Sequence, residues 1–304
     1  MKTPWWFLRK TPLAIILWPL SVLYYLVSRC VYMVRKIGAY KSRRPIVCVG
    51  NIFAGGVGKT PIVRAIACEL NAPVVMRGYK KCAATGNIGD EALMLSRAGL
   101  QVHTGDRKSN VVLLDAQDDC TPIVMDDGFQ NPRIKKDISI LVFDERLGAG
   151  NGFVLPAGPL REPMRAARRA DAIIVIKSNG GRVRKLKLPD GLPVFYATNQ
   201  TVSPYGSKTK LAAFAGIGYP KKFFAALSNV VYKKSFADHY QYTAEDIERL
   251  KKAATRRNAK LITTEKDWVR LPADVQDEIK YARLETVIED SFYDWLKEKL
   301  KCRH

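Results

Sequence analysis

The feature that most constrains this chain is residues 45–60, which read PIVCVGNIFAGGVGKT. A short apolar run ends in Gly50, a glycine-rich turn follows, and Lys59 and Thr60 precede a stretch with helical character. A strand, a glycine loop and a helix in this order cradle a nucleotide phosphate, because backbone N–H groups and the helix N-terminus face the anion. The pattern therefore predicts a P-loop in which Lys59 reaches the β- and γ-phosphates and the Thr60 hydroxyl binds Mg²⁺.

The strict form of the motif, G-x-x-x-x-G-K-[ST], is not met, since Phe53 stands where its first glycine belongs. The glycine loop is instead a GGxGKT variant that consists of Gly55, Gly56, Val57 and Gly58. The simpler alternative is a glycine-rich turn that precedes Lys-Thr by chance, and the strand before it and the helix after it disfavour that interpretation. The loop alone indicates a nucleotide and leaves the reaction open.

The net charge of +21 is the unusual property of this composition, and it predicts an anionic partner: nucleic acid, acidic lipid or a phosphorylated substrate. Hydrophobic residues make up 47% of the chain, which is enough for a packed core. The six cysteines form no C-x-x-C pair, so we expect free thiols in a reducing compartment. With three histidines in the whole chain, a histidine-rich metal site is excluded.

The N-terminal segment differs from the rest because it contains no Asp or Glu, and the run from Pro12 to Val34 is apolar apart from Arg29. About 20 such residues span a bilayer core, and the tryptophans and tyrosines in and before the run are typical of membrane interfaces. Residues 1–44 are therefore predicted to be a membrane-anchoring helix with a basic flank. Arg29 and the internal Pro19 leave three alternatives open: a transmembrane helix, an amphipathic helix in the interface, or a buried core helix.

Basic residues crowd the far end of this segment, at positions 35, 36, 41, 43 and 44. Positive flanks stay on the cytoplasmic side of a membrane, and they attract anionic headgroups. We therefore expect the chain at the cytoplasmic face of a membrane, where ATP is available.

From residue 45 onward, short apolar runs alternate with helical stretches, which is typical of a parallel sheet covered by helices on both faces. The predicted strands are Ile46–Val49, Val74–Arg77, Ile123–Asp126, Ile138–Phe143, Ile173–Ile176 and Val194–Ala197, and the predicted helices are Pro61–Leu70, Asp90–Ala98 and Arg107–Ala116. A turn-rich stretch near residues 200–210 is a candidate boundary, after which the same pattern resumes. The sequence thus predicts an α/β chain with a P-loop NTPase-like, mostly parallel sheet in residues 45–205 and a smaller C-terminal α/β domain in residues 206–304.

Two adjacent acids, Asp126 and Asp127, follow the apolar run Pro122–Val124. An aspartate at the carboxyl end of a strand is where a P-loop enzyme holds Mg²⁺, directly or through water. One of the two would then serve the metal, and the other the substrate or a water molecule. The alternative is an Asp-Gly turn in a loop, which the preceding P-loop makes less favoured.

Other candidate residues carry a structural alternative beside the functional one. Asp90 opens a predicted helix, so it is either an N-cap or, at the tip of a βα loop, the acceptor of a proton from an attacking hydroxyl. Arg161, in a loop of glycines and prolines over residues 148–163, either binds a phosphate as a planar fork or pairs with Glu162 or another acid. His239 follows an aspartate, yet a lone histidine is more often structural than catalytic.

Together these residues resemble the tetraacyldisaccharide 4'-kinases, the lipid A 4'-kinases of Gram-negative bacteria, nearly from end to end. The resemblance rests on the basic and apolar N-terminus, the VGN…GGVGKTP loop, Arg77-Gly78-Tyr79, Gly89-Asp90-Glu91, DDGFQ, LPAGPLREP, FAGIG, FADHY and TEKD. DDGFQ followed by LPAGPLREP is its most specific part, because many families share a GGxGKT loop. One departure is Asn131, which stands where the family usually has a histidine after DDGFQ.

The resemblance implies ATP- and Mg²⁺-dependent phosphorylation of the 4'-hydroxyl of an acylated glucosamine disaccharide 1-phosphate, at the cytoplasmic face of the bacterial inner membrane. It implies that Asp90 is the general base, with His239 hydrogen-bonded near it. The other implied roles are phosphate and Mg²⁺ binding by Lys59 and Thr60, service of the metal by Asp126 and Asp127, and substrate or phosphate contacts by Arg107, Arg161 and Glu162. The implied partners are the lipid substrate and an anionic membrane, with no nucleic acid, and we expect a monomer.

Two other functions stand as alternatives at this point. A variant P-loop ATPase or GTPase that acts as a switch or metallochaperone would have no membrane segment and leaves LPAGPLREP without a role. A nucleic-acid binder would carry basic residues interleaved with stacking aromatics, whereas much of the positive charge here flanks the apolar N-terminus. Residues 264–267, TEKD, lack the Asn-Lys-x-Asp order of a guanine-binding loop, so guanine specificity is not supported.

Overall fold

The structure is a computed structural model, and it describes residues 4–78, 89–117, 119–178, 183–184 and 186–302. Within these residues the chain forms two compact units. The larger comprises Thr3–Arg77, Gly99–Thr198 and Thr286–His304, and the smaller comprises Gly78–Ala98 and Asn199–Glu285. Each unit therefore draws on segments that are distant in sequence, while the division into residues 1–44, 45–205 and 206–304 stays a prediction.

Parallel strands form the sheet of the larger unit. They are β1 (Ile46–Gly50), β2 (Val74–Met76), β3 (Val102–Thr104), β4 (Ile123–Asp126), β5 (Ile138–Asp144), β6 (Ala172–Ile176) and β7 (Val194–Val202). Their order is β3-β2-β4-β1-β5-β6-β7, and each neighbouring pair is parallel. Every residue of β1 is buried, which requires cover on both faces of the sheet. The mostly parallel α/β architecture predicted from the sequence is confirmed.

Two strands of this sheet differ from the sequence-based expectation. β3 is absent from the predicted strands because it is short, only partly buried and polar at His103 and Thr104, so no apolar run marks it. β7 continues past Ala197 to Val202. The predicted strand ends too early because the second half of β7 is polar and partly exposed, although its backbone stays extended. Both differences arise where a strand lacks the continuous apolar run of a buried parallel strand.

The helices of the larger unit are α1 (Pro12–Ile16), α2 (Trp18–Lys36), α3 (Lys59–Glu69), α5 (Arg107–Asp115) and α10 (Asp290–Lys301), with 3-10 helices at Trp5–Leu8 and Met164–Arg169. The terminal helix α10 packs Phe292 against Phe195 of β7, with 5.3 Å between ring centroids. In the sheet, Val49 of β1 is opposite Asp126 of β4. The chain segments that follow β1 and β4 therefore leave the sheet side by side, at the edge where open parallel sheets bind ligands.

The smaller unit has its own parallel sheet and two hydrophobic cores. Its strands are β8 (Leu211–Ala215), β9 (Val230–Ser235), β10 (Lys260–Thr264) and β11 (Lys280–Ile288), in the order β11-β10-β8-β9, and its helices are α4 (Asp90–Arg97), α6 (Pro220–Ala225), α7 (Ala244–Thr255), α8 (Glu265–Trp268) and α9 (Ala273–Gln276). Ala213 and Ala215 of β8 pack with Phe223 of α6. Phe214, between them, packs with Leu250 of α7. Because successive strand residues face opposite sides, helices cover both faces of this sheet.

The N-terminal apolar segment forms α1 and α2. Within α2, all of whose residues are described, Ser21 is the buried one, and side chains such as Leu23 and Leu26 are 57% and 55% exposed. The buried core helix considered from the sequence is therefore wrong. Among the described residues no helix has the length and apolar character needed to cross a membrane, so the transmembrane alternative is not supported either. The interfacial alternative stays a prediction.

The five described cysteines are free, as predicted, and Cys82 lies outside the described residues. Cys48 lies in β1, where burial raises the pKa of its thiol to about 11 and keeps it protonated near neutral pH. Tyr79, which is part of the family resemblance, also lies outside the described residues.

Asp115, at the end of α5, fastens the segment that leads into β1. Its carboxylate accepts hydrogen bonds from the hydroxyls of Tyr40 and Ser42, each at 2.7 Å. The backbone N–H groups of Arg43 and Arg44 donate to it at 3.2 and 3.3 Å. Burial alone would raise the pKa of Asp115, but these hydrogen bonds, led by those of Ser42 and Tyr40, hold the pKa below its usual value.

Replacing Asp115 with alanine is expected to lower the free energy of unfolding by about 3 kcal/mol near neutral pH, because these donors lose a charged acceptor. A lowered folded-state pKa means that the contribution is complete above the unfolded-state pKa of about 3.9 and is lost as the pH falls through the folded-state pKa. Urea unfolding should therefore show a difference between wild type and D115A that shrinks only below about pH 4. The exposed Asp190 supplies the control, and a D115A protein as stable as D190A would contradict the assignment.

Candidate active site

The predicted P-loop connects β1 to α3, and its backbone is shaped by a glycine and by a buried asparagine. Gly58 precedes α3 with a φ of 81°, a left-handed conformation that favours glycine. Asn51 is fully buried, and its side-chain amide donates to the carbonyl oxygens of Phe53 at 2.7 Å and Gly55 at 3.5 Å. The loop is thus folded around the side chain of Asn51, a residue that the sequence analysis did not single out.

Lys59, the first residue of α3, holds its ammonium group within the loop, with the side chain 13% exposed. Its Nζ lies 3.1 Å from Asn51 Oδ1 and 3.2 Å from Asp127 Oδ1. At Gly56, no atom from beyond its two chain neighbours lies within 4 Å of the place where a Cβ would stand, so an anion can approach the backbone there. A cation beside an approachable backbone fits the phosphates of a nucleotide.

The predicted acids Asp126 and Asp127 stand at the end of β4, next to the P-loop. Asp127 has a positive φ of 52°, and its N–H donates to the Val49 carbonyl of β1 at 2.8 Å. Arg107 donates from Nη2 to the carbonyl oxygens of Asp126 and Asp127, at 2.9 and 3.2 Å. Arg107 therefore supports the backbone of this turn, and the Asp-Gly turn seen from the sequence also places an acid beside Lys59.

Arg161 pairs with an acid, and that acid is Asp127. Its Nη1 lies 3.0 Å from both carboxylate oxygens of Asp127 and 3.4 Å from Gln130 Oε1. Gln130 in turn donates to the carbonyl of Asn51 at 2.9 Å. Burial would raise the pKa of Asp127, but the charges of Lys59 and Arg161 hold the pKa below its usual value, so this carboxylate is ionised near neutral pH.

The loop over residues 148–163 brings Arg161 to this position by pairing with the P-loop backbone. Phe53 forms a bridge with Leu160. The Arg161 N–H donates to the carbonyl of Ile52 at 2.7 Å. Phe53 is 2% exposed, so the residue that breaks the strict P-loop motif is the one that anchors the second loop.

Two other predicted positions have partners of their own. Glu162 pairs with Arg169 rather than with Arg161, with 2.5 Å between Oε2 and Nη2. Asn131, where the family usually has a histidine, accepts the N–H of Arg133 through Oδ1 at 3.1 Å. This is a local turn contact, and it gives the asparagine a structural role.

Helix α2 is fastened to the same long loop through its buried serine. Ser21 Oγ donates to the Val154 carbonyl at 2.9 Å and accepts the N–H of Ala157 at 3.0 Å. Trp6 Nε1 donates to the carbonyl of Pro156 at 3.3 Å. Since the loop continues to Arg161, the apolar helix is held in a defined position beside the P-loop.

A cavity of about 680 Å³ opens along α2. Its walls include Leu20, Leu23, Val27 and Tyr32 of α2, and Arg161 and Glu162 of the long loop. Arg161 therefore belongs to two places at once, because it contacts Asp127 beside Lys59 and also lines an apolar cavity.

Asp90 lies in the smaller unit and begins α4, but Gly89 is the N-cap, so the N-cap interpretation of Asp90 is wrong. The carboxylate oxygen Oδ2 lies 3.1 Å from His239 Nδ1 and accepts two hydrogen bonds from Arg270, at 2.6 and 2.9 Å. His239 adopts a positive φ of 61°, and its N–H donates to the Gly216 carbonyl at 3.0 Å. The structure thus brings together the two residues that the resemblance paired.

Sequence reasoning did not single out Arg270, and it gave no role to its second acid, Asp267, which is the last residue of TEKD. Both side chains are fully buried, and Nη1 of Arg270 lies 3.2 Å from Asp267 Oδ1. Asp267 also accepts a hydrogen bond from Thr264 Oγ1 at 2.7 Å. Asp267 ends the TEKD motif, and an arginine three positions after it is the signal that would have marked the pair.

Among the residues that the structure describes, no group of three or more His, Cys, Asp or Glu side chains could hold a metal ion. Mg²⁺ commonly takes one or two carboxylates together with substrate phosphates and water. Thr60, Asp126 and Asp127 offer hydroxyl and carboxylate oxygens, which are the ligands that Mg²⁺ prefers. The donor set therefore fits Mg²⁺ that arrives with a nucleotide.

Comparison with known proteins shows the family to which the chain is similar. A family model described as Tetraacyldisaccharide-1-P 4'-kinase matches residues 13–301. The chain is 38% identical over 268 residues to a tetraacyldisaccharide 4'-kinase of Maricaulis maris, covering 80% of this chain and 78% of the relative. It is 40% identical over 261 residues to that of Paramagnetospirillum magneticum, covering 78% and 80%. The fold is similar to a crystal structure of LpxK from Aquifex aeolicus in complex with ATP, at a TM-score of 0.73 and 24% identity over 95% of this chain and 98% of that one.

Proposed function

The chain belongs to the tetraacyldisaccharide-1-P 4'-kinase family, and we propose that Asp90 is its general base and that its P-loop binds ATP together with Mg²⁺. Its reaction is the ATP-dependent phosphorylation of the 4'-hydroxyl of a tetraacylated glucosamine disaccharide 1-phosphate in lipid A biosynthesis. The relatives named above are kinases of this type, so neither a regulatory ATPase or GTPase nor a metallochaperone finds support among them.

The main support for this function is that Arg161 contacts both the phosphate-binding region and a cavity. One side chain reaches the acid beside the P-loop lysine and also lines an apolar cavity. A phosphate site that adjoins an apolar cavity suits a lipid acceptor, whereas a nucleotide switch has no use for one. Because a tetraacylated disaccharide exceeds a cavity of about 680 Å³, we expect its acyl chains to extend along the exposed face of α2.

Lys59 and the N-terminus of α3 bind the phosphates of ATP, and the Arg161 guanidinium adds a second positive charge beside them. Phosphoryl transfer asks for little covalent chemistry from a protein, so position and charge neutralisation supply most of the rate. Thr60 and Asp126 or Asp127 would hold Mg²⁺, which would neutralise charge on these phosphates.

The resemblance implies substrate or phosphate contacts for Arg107 and Glu162, and we propose a more specific role for each. Arg107 donates to the backbone of Asp126 and Asp127, so it supports the metal and phosphate region through that turn. Glu162 faces the cavity, and we propose that it contacts the sugar of the acceptor.

Asp90 accepts the proton of the 4'-hydroxyl while the hydroxyl oxygen bonds to the transferred phosphorus and the bond to the leaving phosphate oxygen breaks. Because the transition state is loose, the proton is lost late, and the position of Asp90 matters more than its basicity. His239 Nδ1 lies 3.1 Å from Oδ2 of Asp90 and 3.2 Å from Nη2 of Arg270, and we propose the tautomer in which Nδ1 carries the proton and donates it to the carboxylate. This bond orients the carboxylate.

Phosphate transfer by the purified wild-type protein tests this function directly. With ATP, Mg²⁺ and a tetraacylated disaccharide 1-phosphate, we expect ADP and a lipid with a second phosphate in equal amounts. Phosphorus NMR of the product should place the new group on O4', and a chelator should stop the reaction. Hydrolysis of ATP without a phosphorylated lipid, or phosphorylation of another hydroxyl, would contradict the proposal.

We propose in addition that α2 lies in the headgroup region of the inner membrane, at its cytoplasmic face, where the chain acts as a monomer. The support is the exposed apolar surface of α2, with Leu26 at 55% and Val34 at 68%, next to the basic residues Arg35 and Lys36 that end the helix. An apolar face with cationic residues beside it is the pattern of an interfacial helix on anionic lipid.

Vesicle binding distinguishes this role from simple exposure. Leu26→Glu should weaken partition onto phosphatidylglycerol vesicles by about 10-fold or more, because an apolar side chain of this size contributes about 2 kcal/mol when buried in lipid. Leu113 of α5 provides a matched control, since it is also an exposed leucine on a helix, at 62%. Equal partition of L26E and L113E, measured by flotation, would mean that α2 is not the membrane contact.

A further inference from the structure

Arg270 is a fully buried arginine whose donors all converge on the surroundings of Asp90. Its Nε and Nη2 donate to Asp90 Oδ2 at 2.9 and 2.6 Å. Its Nη1 donates to Asp267 Oδ1 and to the carbonyl oxygen of Gly216, each at 3.2 Å. The side chain has no exposed surface, so these contacts are made without competition from bulk water.

We infer that Arg270 is a positioning residue for Asp90, whose guanidinium holds Oδ2 so that Oδ1 is presented to the acceptor hydroxyl. The inference rests on the proposed role of Asp90 as general base. It adds a residue that neither the motifs nor the family resemblance assigned.

The distribution of donors around the carboxylate supports the assignment of its two oxygens. Two hydrogen bonds from Arg270 end on Oδ2 of Asp90, and His239 Nδ1 lies 3.1 Å from the same oxygen and 3.2 Å from Nη2 of Arg270. Within the part of the chain that the structure describes, these contacts all involve Oδ2 and none of them involves Oδ1. Two charge-assisted bonds from one rigid guanidinium fix the position of Oδ2 more firmly than a single donor would. Oδ1 is then the oxygen left to accept a proton.

Arg270 is itself held from the other side. The carboxylate of Asp267 accepts a hydrogen bond from Nη1 of Arg270. The Thr264 hydroxyl donates to this carboxylate and accepts the backbone N–H of Asp267, which fastens Asp267 to the start of α8. At Gly216, a Cβ would stand 3.1 Å from Asp267 Oδ1, so the glycine leaves room for this acid. The same glycine carbonyl accepts N–H groups from both Arg270 and His239.

A guanidinium buried between two carboxylates is not explained by folding stability alone. A buried ion pair commonly contributes no more than well-packed apolar side chains of similar size, because its charges lose their hydration. What a guanidinium between two carboxylates does supply is a defined orientation of each. A base for late proton transfer needs that orientation, since a misplacement of about 1 Å can cost about 100-fold in rate.

Steady-state kinetics of Arg270→Met and Arg270→Lys test the inference. We expect R270M to lower kcat for the disaccharide 1-phosphate by about 100-fold, with the KM values for lipid and ATP unchanged. R270K keeps the charge but replaces the fork with one ammonium, so it should lose about 10-fold in kcat. A kcat equal to that of wild type in either folded variant would overturn the inference.

A double-mutant cycle with Asp90→Asn separates positioning from a general structural role. If Arg270 acts through Asp90, then R270M should cost nothing further in kcat in the D90N background. The same loss in both backgrounds would overturn the inference, because it would mean that Arg270 supports activity in another way. Where R270M does not fold, as judged by circular dichroism, the cycle is run with R270K and the same two outcomes.

The failure of this inference and the failure of the proposed function have different signatures. If Asp90 is not the base, D90N alone keeps the turnover of wild type. If Asp90 is the base and Arg270 does not position it, D90N has a lowered kcat. The Arg270 variants then either keep the kcat of wild type or lose the same factor in kcat in the wild-type and D90N backgrounds. A wild-type protein without transfer to the lipid would refute the proposed function before either variant is made.

Discussion

Replacing Lys59 with methionine is expected to lower kcat for phosphoryl transfer by about 1,000-fold and to raise the KM for ATP. The ammonium group lies 3.2 Å from Asp127 and 3.1 Å from Asn51, inside a loop whose backbone is open to an anion. Methionine keeps the length and most of the apolar stem, so the loss isolates the charge. That charge matters most in the transition state, where negative charge spreads over the transferred phosphoryl oxygens.

The measurement is the initial rate of ADP formation at saturating lipid, over a range of ATP concentrations. Lys252 is exposed on α7 and offers a matched control, because K252M removes the same group from a surface helix. K252M should keep the kcat and KM of wild type. If K59M also kept them, the glycine loop would be a turn without a nucleotide, which is the simpler alternative weighed from the sequence.

Replacing Asp90 with asparagine is expected to lower kcat by about 1,000-fold while ATP binding stays unchanged. Asparagine has the shape of aspartate and can still accept a hydrogen bond from Arg270, so the buried surroundings should persist. What it lacks is an oxygen basic enough to take the proton of the 4'-hydroxyl. The change therefore removes general-base catalysis and leaves the nucleotide site, built from other residues, intact.

Single-turnover transfer with radiolabelled ATP measures this loss, and titration of a fluorescent ATP analogue measures nucleotide affinity. The control is Asp274→Asn, which changes an exposed acid in the first turn of α9 in the same unit. D274N should match wild type in both assays. A D90N protein with wild-type turnover would show that the proton leaves by another route and that the paired Asp90 and His239 are structural.

The sequence predicted most of the elements around the nucleotide site because buried parallel strands leave a plain signal. β1 and β4 are continuous apolar runs that end in glycine or aspartate, and a parallel sheet needs such runs. The strands that escaped prediction were polar in whole or in part, as in β3 and the second half of β7. Periodicity reports burial, so it is weakest where a strand is partly exposed.

Some site residues were predicted from the sequence and others were not, mainly because their partners are far away along the chain. Lys59 and Thr60 belong to a local motif whose geometry follows from its own glycines. Arg270 is 180 residues from Asp90, and no spacing rule connects residues so far apart. Asn51 lies within the predicted loop, yet its role depends on the inward rotamer that only the folded loop displays.

By itself, the sequence determined the class of the protein. The glycine loop before Lys59 and the alternating strands and helices indicated an α/β nucleotide-binding fold, because these are local patterns with local physics. The DDGFQ and LPAGPLREP segments indicated a kinase of a lipid sugar through their resemblance to a known family. Tertiary structure alone decided which partners the functional side chains take. Asp127 was assigned to Lys59 and Arg161, Glu162 to Arg169, and Asp90 to Arg270. Buried charges must find a partner or lose their hydration at great cost, and only the fold brings the partners within reach.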